Sequence, residues 1–158
     1  MAHTAEIQNA EINDLPSILE LQKLAFLSEA ALVEDYFIPP LTQTLDGIKE
    51  DFASGVILKA FARGNPNEII GSVRGRFSEN TLHIGKLIVN PSFQNRGIGT
   101  ALLLHIESLY PKARYELFTS DRSDKSLSLY IRNGYAKFKQ EPLNDNANII
   151  FLQKSKGV

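Results

Sequence analysis

Arg96, Gly97 and Gly99 stand in the stretch NPSFQNRGIGTALLLHIE, between the apolar run LHIGKLIV and a segment with helical spacing. The first turn of a helix leaves amide N–H groups unpaired and carries partial positive charge, and glycines there let the main chain approach an anion with no side chain between. That chemistry suits a phosphate. A P-loop would need Gly, four residues, Gly, Lys and Ser or Thr, and a dinucleotide fingerprint would need a third glycine, so neither pattern is present. Further along, Tyr130 in LYIRNG is a phenol that stays protonated at neutral pH and can donate. It also shares a helical face with Leu127 and Ile131, where aromatics commonly pack. His83, in TLHIGKLIV, carries the side chain best matched to proton exchange near neutral pH, or else fills a pleat as a half-exposed strand residue. His105 within a helix and His3 in the tail are read as structural or incidental. Three scattered histidines without a cysteine make no metal-ligand set, and no Ser, His and Asp arrangement stands out.

The elements that must position these residues follow from periodicity. A short strand near Glu6 to Ala10 precedes a helix from about Leu15 to Ala30, with Asp14 as its cap and Pro16 in its first turn. The segment AALVEDYFIPPLTQ, with its double proline, is expected as a shaped loop. Leu45, Ile48 and Phe52 predict a second helix over Thr44 to Ser54, stopping at Gly55. VILKAFA, EIIGSVRGRF and TLHIGKLIV, separated by the turn clusters RGNPNE and SENT, read as an antiparallel meander. A third helix runs from Ile98 until Pro111 closes it. YELFTS is a strand, SDKSLSLYIRNG a helix with an Asn-Gly end, and YAKFKQ and ANIIFLQK two last strands around a PLNDN turn. The expectation is an α/β (α+β) fold: one domain over residues 1–158, with a mixed, mostly antiparallel sheet of about seven strands flanked by four helices.

Composition narrows the function classes. The chain has 158 residues and 43% hydrophobic residues, enough for one domain with a sizeable core. A net charge of -1 with no run of like charge argues against affinity built on phosphate neutralisation along a nucleic acid. No window approaches the roughly 18 apolar residues of a membrane span, the amino terminus is polar and acidic, and cysteine is absent. A cytoplasmic protein is expected, with neither nucleic acid nor membrane as partner.

Gln94, two residues, Gly97, one residue, Gly99, after one strand and opening a helix, with LYIRNGY downstream, resembles the GNAT superfamily of acyl-CoA-dependent N-acetyltransferases. The likeness covers nearly the whole chain. It implies that backbone amides from Gln94 through Asn95, Arg96, Gly97, Ile98 and Gly99 to Thr100 hold the pyrophosphate of acetyl-CoA, with Arg96 adding charge. It implies too that the main chain of Leu87, Ile88 and Val89 pairs with the pantetheine arm as a strand would. Tyr130 is the residue that would protonate the departing thiolate, and His83 lies near where some members of the family place a base. Where the family often has Asn seven residues before the tyrosine and Ala four before it, this chain has Ser123 and Ser126. Around the loop after the first helix, Glu29, Glu34 and Asp35 are candidates for drawing in a cationic acceptor, or are solvated surface acids. Phe26, Tyr36 and Phe37 line the acceptor pocket, or are core. The implied reaction is direct acetyl transfer from acetyl-CoA to a primary amine of a small molecule or peptide in a ternary complex, without a metal. The rival is a module that holds coenzyme A without turnover. A homodimer is a habit of the family.

Overall fold

In the computed structural model the described residues are 5–155, and His3 lies outside them. Strand β1, Ala5–Asn9, and the meander of β2, Val56–Ala62, β3, Asn65–Ser78, and β4, Thr81–Val89, form the first part of a seven-stranded sheet. Strands β5, Arg114–Ser120, β6, Ala136–Asn144, and β7, Ala147–Lys154, complete it in the order β1-β2-β3-β4-β5-β7-β6. Only β4 and β5 run parallel, and they pair over no more than Thr81–His83 against Arg114–Glu116. Beyond His83 the two strands part, so the edge of β4 from Ile84 onward has no strand beside it. The sheet is split at its centre.

A second irregularity falls at the same place. The β3–β4 register shifts by one residue between Ser72–Ile88 and Arg74–Gly85, and Lys86 sits in this bulge at φ 48°. The extra residue twists and re-aims the strand where it leaves its neighbour.

Helices cover both faces. On one, α1, Leu15–Ala25, and α4, Leu45–Ser54, place Leu15, Ile18 and Ile48 in a small core with Ala10 and Ile57. On the other, α5, Ile98–Ser108, sinks Ile98, Leu102, Leu103 and Ile106 onto Leu58, Ile70, Val73 and Leu82 in the main core. Two glycines allow that approach: a Cβ on Gly75 would meet Ile106 and Leu82 side chains at 2.9 Å, and one on Gly71 would meet Leu102 at 3.0 Å. Backbone here substitutes for side chain, and α5 seats low enough for its first turn to face the split.

Several expected boundaries are corrected. The first helix does not continue to Ala30: it ends at Ala25, Phe26 turns to ψ -1°, and a separate helix α2 spans Leu27–Val33. Ser28 Oγ donates to the Ala25 carbonyl at 3.3 Å, which takes one of the acceptors a continuing helix would use. Asp14 is not a side-chain cap; its carboxylate accepts from the Glu11 N–H and from Lys59 Nζ, both at 2.8 Å, and braces a 3-10 turn over Ile12–Asp14. The double proline begins a one-turn helix, α3, Pro39–Thr42, where a first-turn proline loses no hydrogen bond. RGNPNE is mostly strand, since β3 starts at Asn65, and Pro142, Leu143 and Asn144 extend β6 so that the final turn shrinks to Asp145 and Asn146. The SENT turn forms as expected, with Glu79 and Asn80 both at positive φ, the twist a tight hairpin requires. α6, Asp124–Arg132, ends before Gly134 at φ 95°.

Candidate active site

The loop that opens α5 is built to meet an anion. Asn95 and Gly97 adopt φ 64° and 80°, and the first bond of the helix runs from the Ala101 N–H to the Gly97 carbonyl at 3.0 Å. The amides of Ile98, Gly99 and Thr100 are therefore left outside the helical ladder and point along the axis. A Cβ on Gly97 would meet nothing within 4 Å, so the space above the loop is open. Arg96 is exposed, its guanidinium 5.0 Å from the Phe93 ring centroid, held beside the loop. Gln94 and Asn95 are exposed as well. From this loop the free edge of β4 leads inward through Leu87, Ile88 and Val89; Ile88 is buried and the other two are half-buried. An extended ligand arm can add to that edge as a strand.

Tyr130 lies on α6, 8% exposed, with its ring 6.0 Å from that of Tyr135. Among the described residues nothing hydrogen-bonds its hydroxyl. Burial, with the nearby Glu29 carboxylate adding to it, pushes the phenol far above its ordinary range, so it remains a donor. Glu29, on α2, is itself raised by burial, while a hydrogen bond from Ser123 Oγ to its Oε2 at 3.0 Å opposes the rise. Ser123 is 2% exposed. The chain thus brings Glu29, Ser123 and Tyr130 together from positions 94 residues apart.

His83 belongs to another part of the split. It lines a cleft of about 380 Å³ together with Arg74, Arg76, Gly85, Lys86 and Glu116. Its Nδ1 lies 3.9 Å from Glu116 Oε2, and Glu116 is held by Arg114 at 2.8 Å. Arg74 spans the floor: Nη1 donates to Gln43 and Asp51, both at 2.9 Å, and Nη2 to the fully buried Gln22. Neither Tyr130 nor Glu29 lines this cleft.

A helix start with unpaired amides thus lies at the split between β4 and β5, and α6, which carries the buried Tyr130, packs beside it through Leu129. The family model described as Acetyltransferase (GNAT) family matches residues 15–135. The chain belongs to the GNAT acetyltransferase family. A glucosamine 6-phosphate N-acetyltransferase of Trypanosoma brucei brucei is 29% identical over 146 residues, covering 86% of this chain and 92% of that protein. Among solved structures, the PaiA N-acetyltransferase of Thermoplasma acidophilum in complex with coenzyme A superposes with TM-score 0.77 at 19% identity, over 96% of this chain and 98% of that one. The ribosomal-protein-S18-alanine N-acetyltransferase of Escherichia coli gives TM-score 0.79 at 15% identity, over 98% and 95%.

Within this GNAT fold the remaining expected residues sort by burial. Phe26 packs against Ala30, Val33, Ile38 and Ala147 in a third small core, which is the packing role. Tyr36 and Phe37 are 57% and 83% exposed, and Asp35 Oδ1 accepts the Phe37 N–H at 2.8 Å, so this acid shapes its own turn. Glu34 is exposed at φ 57°. Sequence reasoning missed Glu116 as the neighbour of His83, because the short parallel register that sets it opposite His83 leaves no periodic trace. It also missed Lys86 and Gly85, for which a bulge within an otherwise regular apolar run gave no signal. Ser123 was noticed only as a departure from the family pattern, and its partner on α2 had none. Among the described residues no group of three or more His, Asp or Glu converges on a metal position, and no helix is long and apolar enough to cross a membrane.

Proposed function

We propose that the protein is an N-acetyltransferase that passes the acetyl group of acetyl-CoA to a primary amine by direct attack in a ternary complex. The observation that carries this reading is the coincidence, at one split in the sheet, of open α5 amides and a free β4 edge, with α6 packed beside them and presenting the unpartnered hydroxyl of Tyr130. The residues fit the cofactor: amides of Gly97 to Thr100, with Gln94, Asn95 and Arg96 around them, would hold its pyrophosphate, and Leu87, Ile88 and Val89 its extended arm. Acetyl-CoA supplies the acetyl group as a thioester. The chain's own residues answer for orientation and protons.

A lysine-like amine of pKa about 10.4 costs about 4.6 kcal/mol to deprotonate at pH 7, from 3.4 units at 1.36 each. A base near the acceptor lowers that barrier, and an acid near the sulfur assists departure. Tyr130 is the acid in this reading. His83, with the Glu116 carboxylate 3.9 Å away, is the base or holds the water that relays the proton; Glu29 would fix the acceptor ammonium or share that role. Main-chain N–H groups of β4 would polarise the carbonyl. The relative that acts, by its name, on glucosamine 6-phosphate makes amino sugars one arm of an acceptor panel.

The test is release of free thiol from acetyl-CoA over amino sugars, amino acids, polyamines and peptide amino termini. Turnover with at least one class is expected, and binding of acetyl-CoA with no turnover on any would make the protein a coenzyme A-binding module. With an active acceptor, His83→Gln should lower kcat at saturating substrate while leaving acetyl-CoA affinity close to wild type. Unchanged turnover in that variant would leave His83 as a strand residue only.

A further inference from the structure

The cleft beside His83 has a charge inventory that does not balance. Two carboxylates border it, and both are already paired: Asp51 with Arg74 at 2.9 Å, Glu116 with Arg114 at 2.8 Å. Three cations border it as well: Arg74, which is the partner of Asp51, and Lys86 and Arg76, neither of which, among the described residues, has a carboxylate within ion-pair distance. An exposed cation without a partner is ordinary, and Arg76 is exposed. Lys86 is not: it is half-buried, and it projects from the bulge with φ 48°, a conformation that a lysine backbone seldom adopts and that the surrounding fold must hold. Burial and the nearby Arg74 charge pull its ammonium below the usual lysine range, while Asp51, already bound to Arg74, opposes the shift without forming an ion pair to Lys86. Next to it, Gly85 leaves the wall bare, since a Cβ there would meet nothing within 4 Å. A ligand atom can therefore reach the main chain of β4 at the point where Lys86 stands.

We propose that this cleft receives an acceptor amine that also carries an anionic group, a carboxylate or a phosphate monoester, and that Lys86, assisted by Arg76, is the residue that binds the anion. The argument rests on the reading of the protein as an acetyltransferase, and adds to it the class of acceptor. Polyamines, whose charge is wholly positive, are disfavoured by the same two cations.

Three acceptors separate the possibilities: an amino sugar bearing a phosphate monoester, the same sugar without it, and a free amino acid. Each is assayed by thiol release with the wild-type protein, Lys86→Asn, which tolerates positive φ, and Lys86→Arg, which keeps the charge. An anionic acceptor is expected to exceed its uncharged counterpart in kcat/KM by roughly tenfold or more, mainly through KM, as befits one charged contact. Lys86→Asn collapses that ratio toward one, and Lys86→Arg restores most of it. Preference for the phosphate-bearing sugar over the amino acid assigns the anion as a phosphate, and the reverse as a carboxylate. Equal turnover of charged and uncharged acceptors, or an equal loss on all of them in Lys86→Asn, overturns the proposal. If no amine releases thiol, acetyl transfer fails as a reading, and a second measurement still decides the subsite. Inorganic phosphate is titrated calorimetrically in saturating coenzyme A, which fills the α5 loop. Binding weakened roughly tenfold in Lys86→Asn supports the site; no binding, or the same binding in both proteins, rejects it.

Discussion

Tyr130→Phe keeps the ring that packs on Tyr135 and removes a hydroxyl that, among the described residues, no protein group engages. Turnover should fall about 10²-fold or more while acetyl-CoA affinity stays close to wild type, because loss of a general acid has that size and the pyrophosphate loop lies elsewhere. Normal turnover would leave Tyr130 as a packing residue. Glu29 allows a separate test by stability. Its folded pKa is raised by burial above the unfolded value, so its contribution favours the folded state at low pH and is lost as pH rises through the folded pKa. Glu29→Gln keeps an oxygen for Ser123 Oγ but carries no charge to desolvate. The variant should melt at a higher temperature than wild type at pH 7 and at nearly the same temperature below pH 4. A melting temperature lowered at pH 7 would contradict the burial argument.

At the scale of the element, α5 braces the core and, in the proposed reaction, binds the cofactor, and two glycines at its start separate the tasks. Gly97 needs φ 80°, so any side chain there strains the backbone whatever it does to a ligand. Gly99 is the cleaner probe: a Cβ would sit 3.7 Å from Leu129 and 3.8 Å from Val89, ordinary contacts. Gly99→Glu should therefore preserve the circular dichroism spectrum and cooperative melting yet abolish acetyl-CoA binding by calorimetry, since a carboxylate would stand where the amides face the anion. Undiminished affinity would remove the loop from the site. The split first helix shows the same division of labour. α1 serves the core through Leu15 and Ile18, while α2, freed to take its own direction after Phe26, carries Glu29 across to Ser123.

For the molecule as a whole, Arg74 is the tie between the sheet and the helices over the acceptor cleft. From β3 it reaches Gln22 on α1, Asp51 on α4 and Gln43 between α3 and α4. Arg74→Met fills similar volume but leaves the Oε1 of the fully buried Gln22 without its donor, while Gln43 and Asp51 keep donors from Gln22 and Gln43. A loss of about 2 kcal/mol in denaturant unfolding is expected, since unsatisfied buried groups cost on that order and the partly exposed Asp51 can return to water. A variant as stable as wild type would mean that the network is replaceable by apolar packing. Because the same residue floors the cleft, its loss should also raise the acceptor KM more than that of acetyl-CoA.

The sequence by itself determined most of the order of elements, and it determined the glycine-marked start of α5, because hydrophobic period, turn residues and helix starts are local properties written within a few residues of one another. Gly97 and Gly99 were legible for that reason, and so were the Glu79–Asn80 hairpin and the Thr44 start of α4, whose hydroxyl accepts the Gly47 N–H. Tyr130 and His83 were legible as chemistry but not as neighbours. Only the tertiary structure decided that Glu116 stands beside His83, that Ser123 turns to Glu29 rather than outward, and that Lys86 is left without an ion-pair partner among the described residues. Each of these depends on a pairing across a long stretch of chain: the three-residue parallel register of β4 and β5, the reach of α2 toward α6, and a one-residue bulge. A parallel register of three residues and a single inserted residue leave no period in the sequence, because their free energy comes from contacts between segments rather than within them.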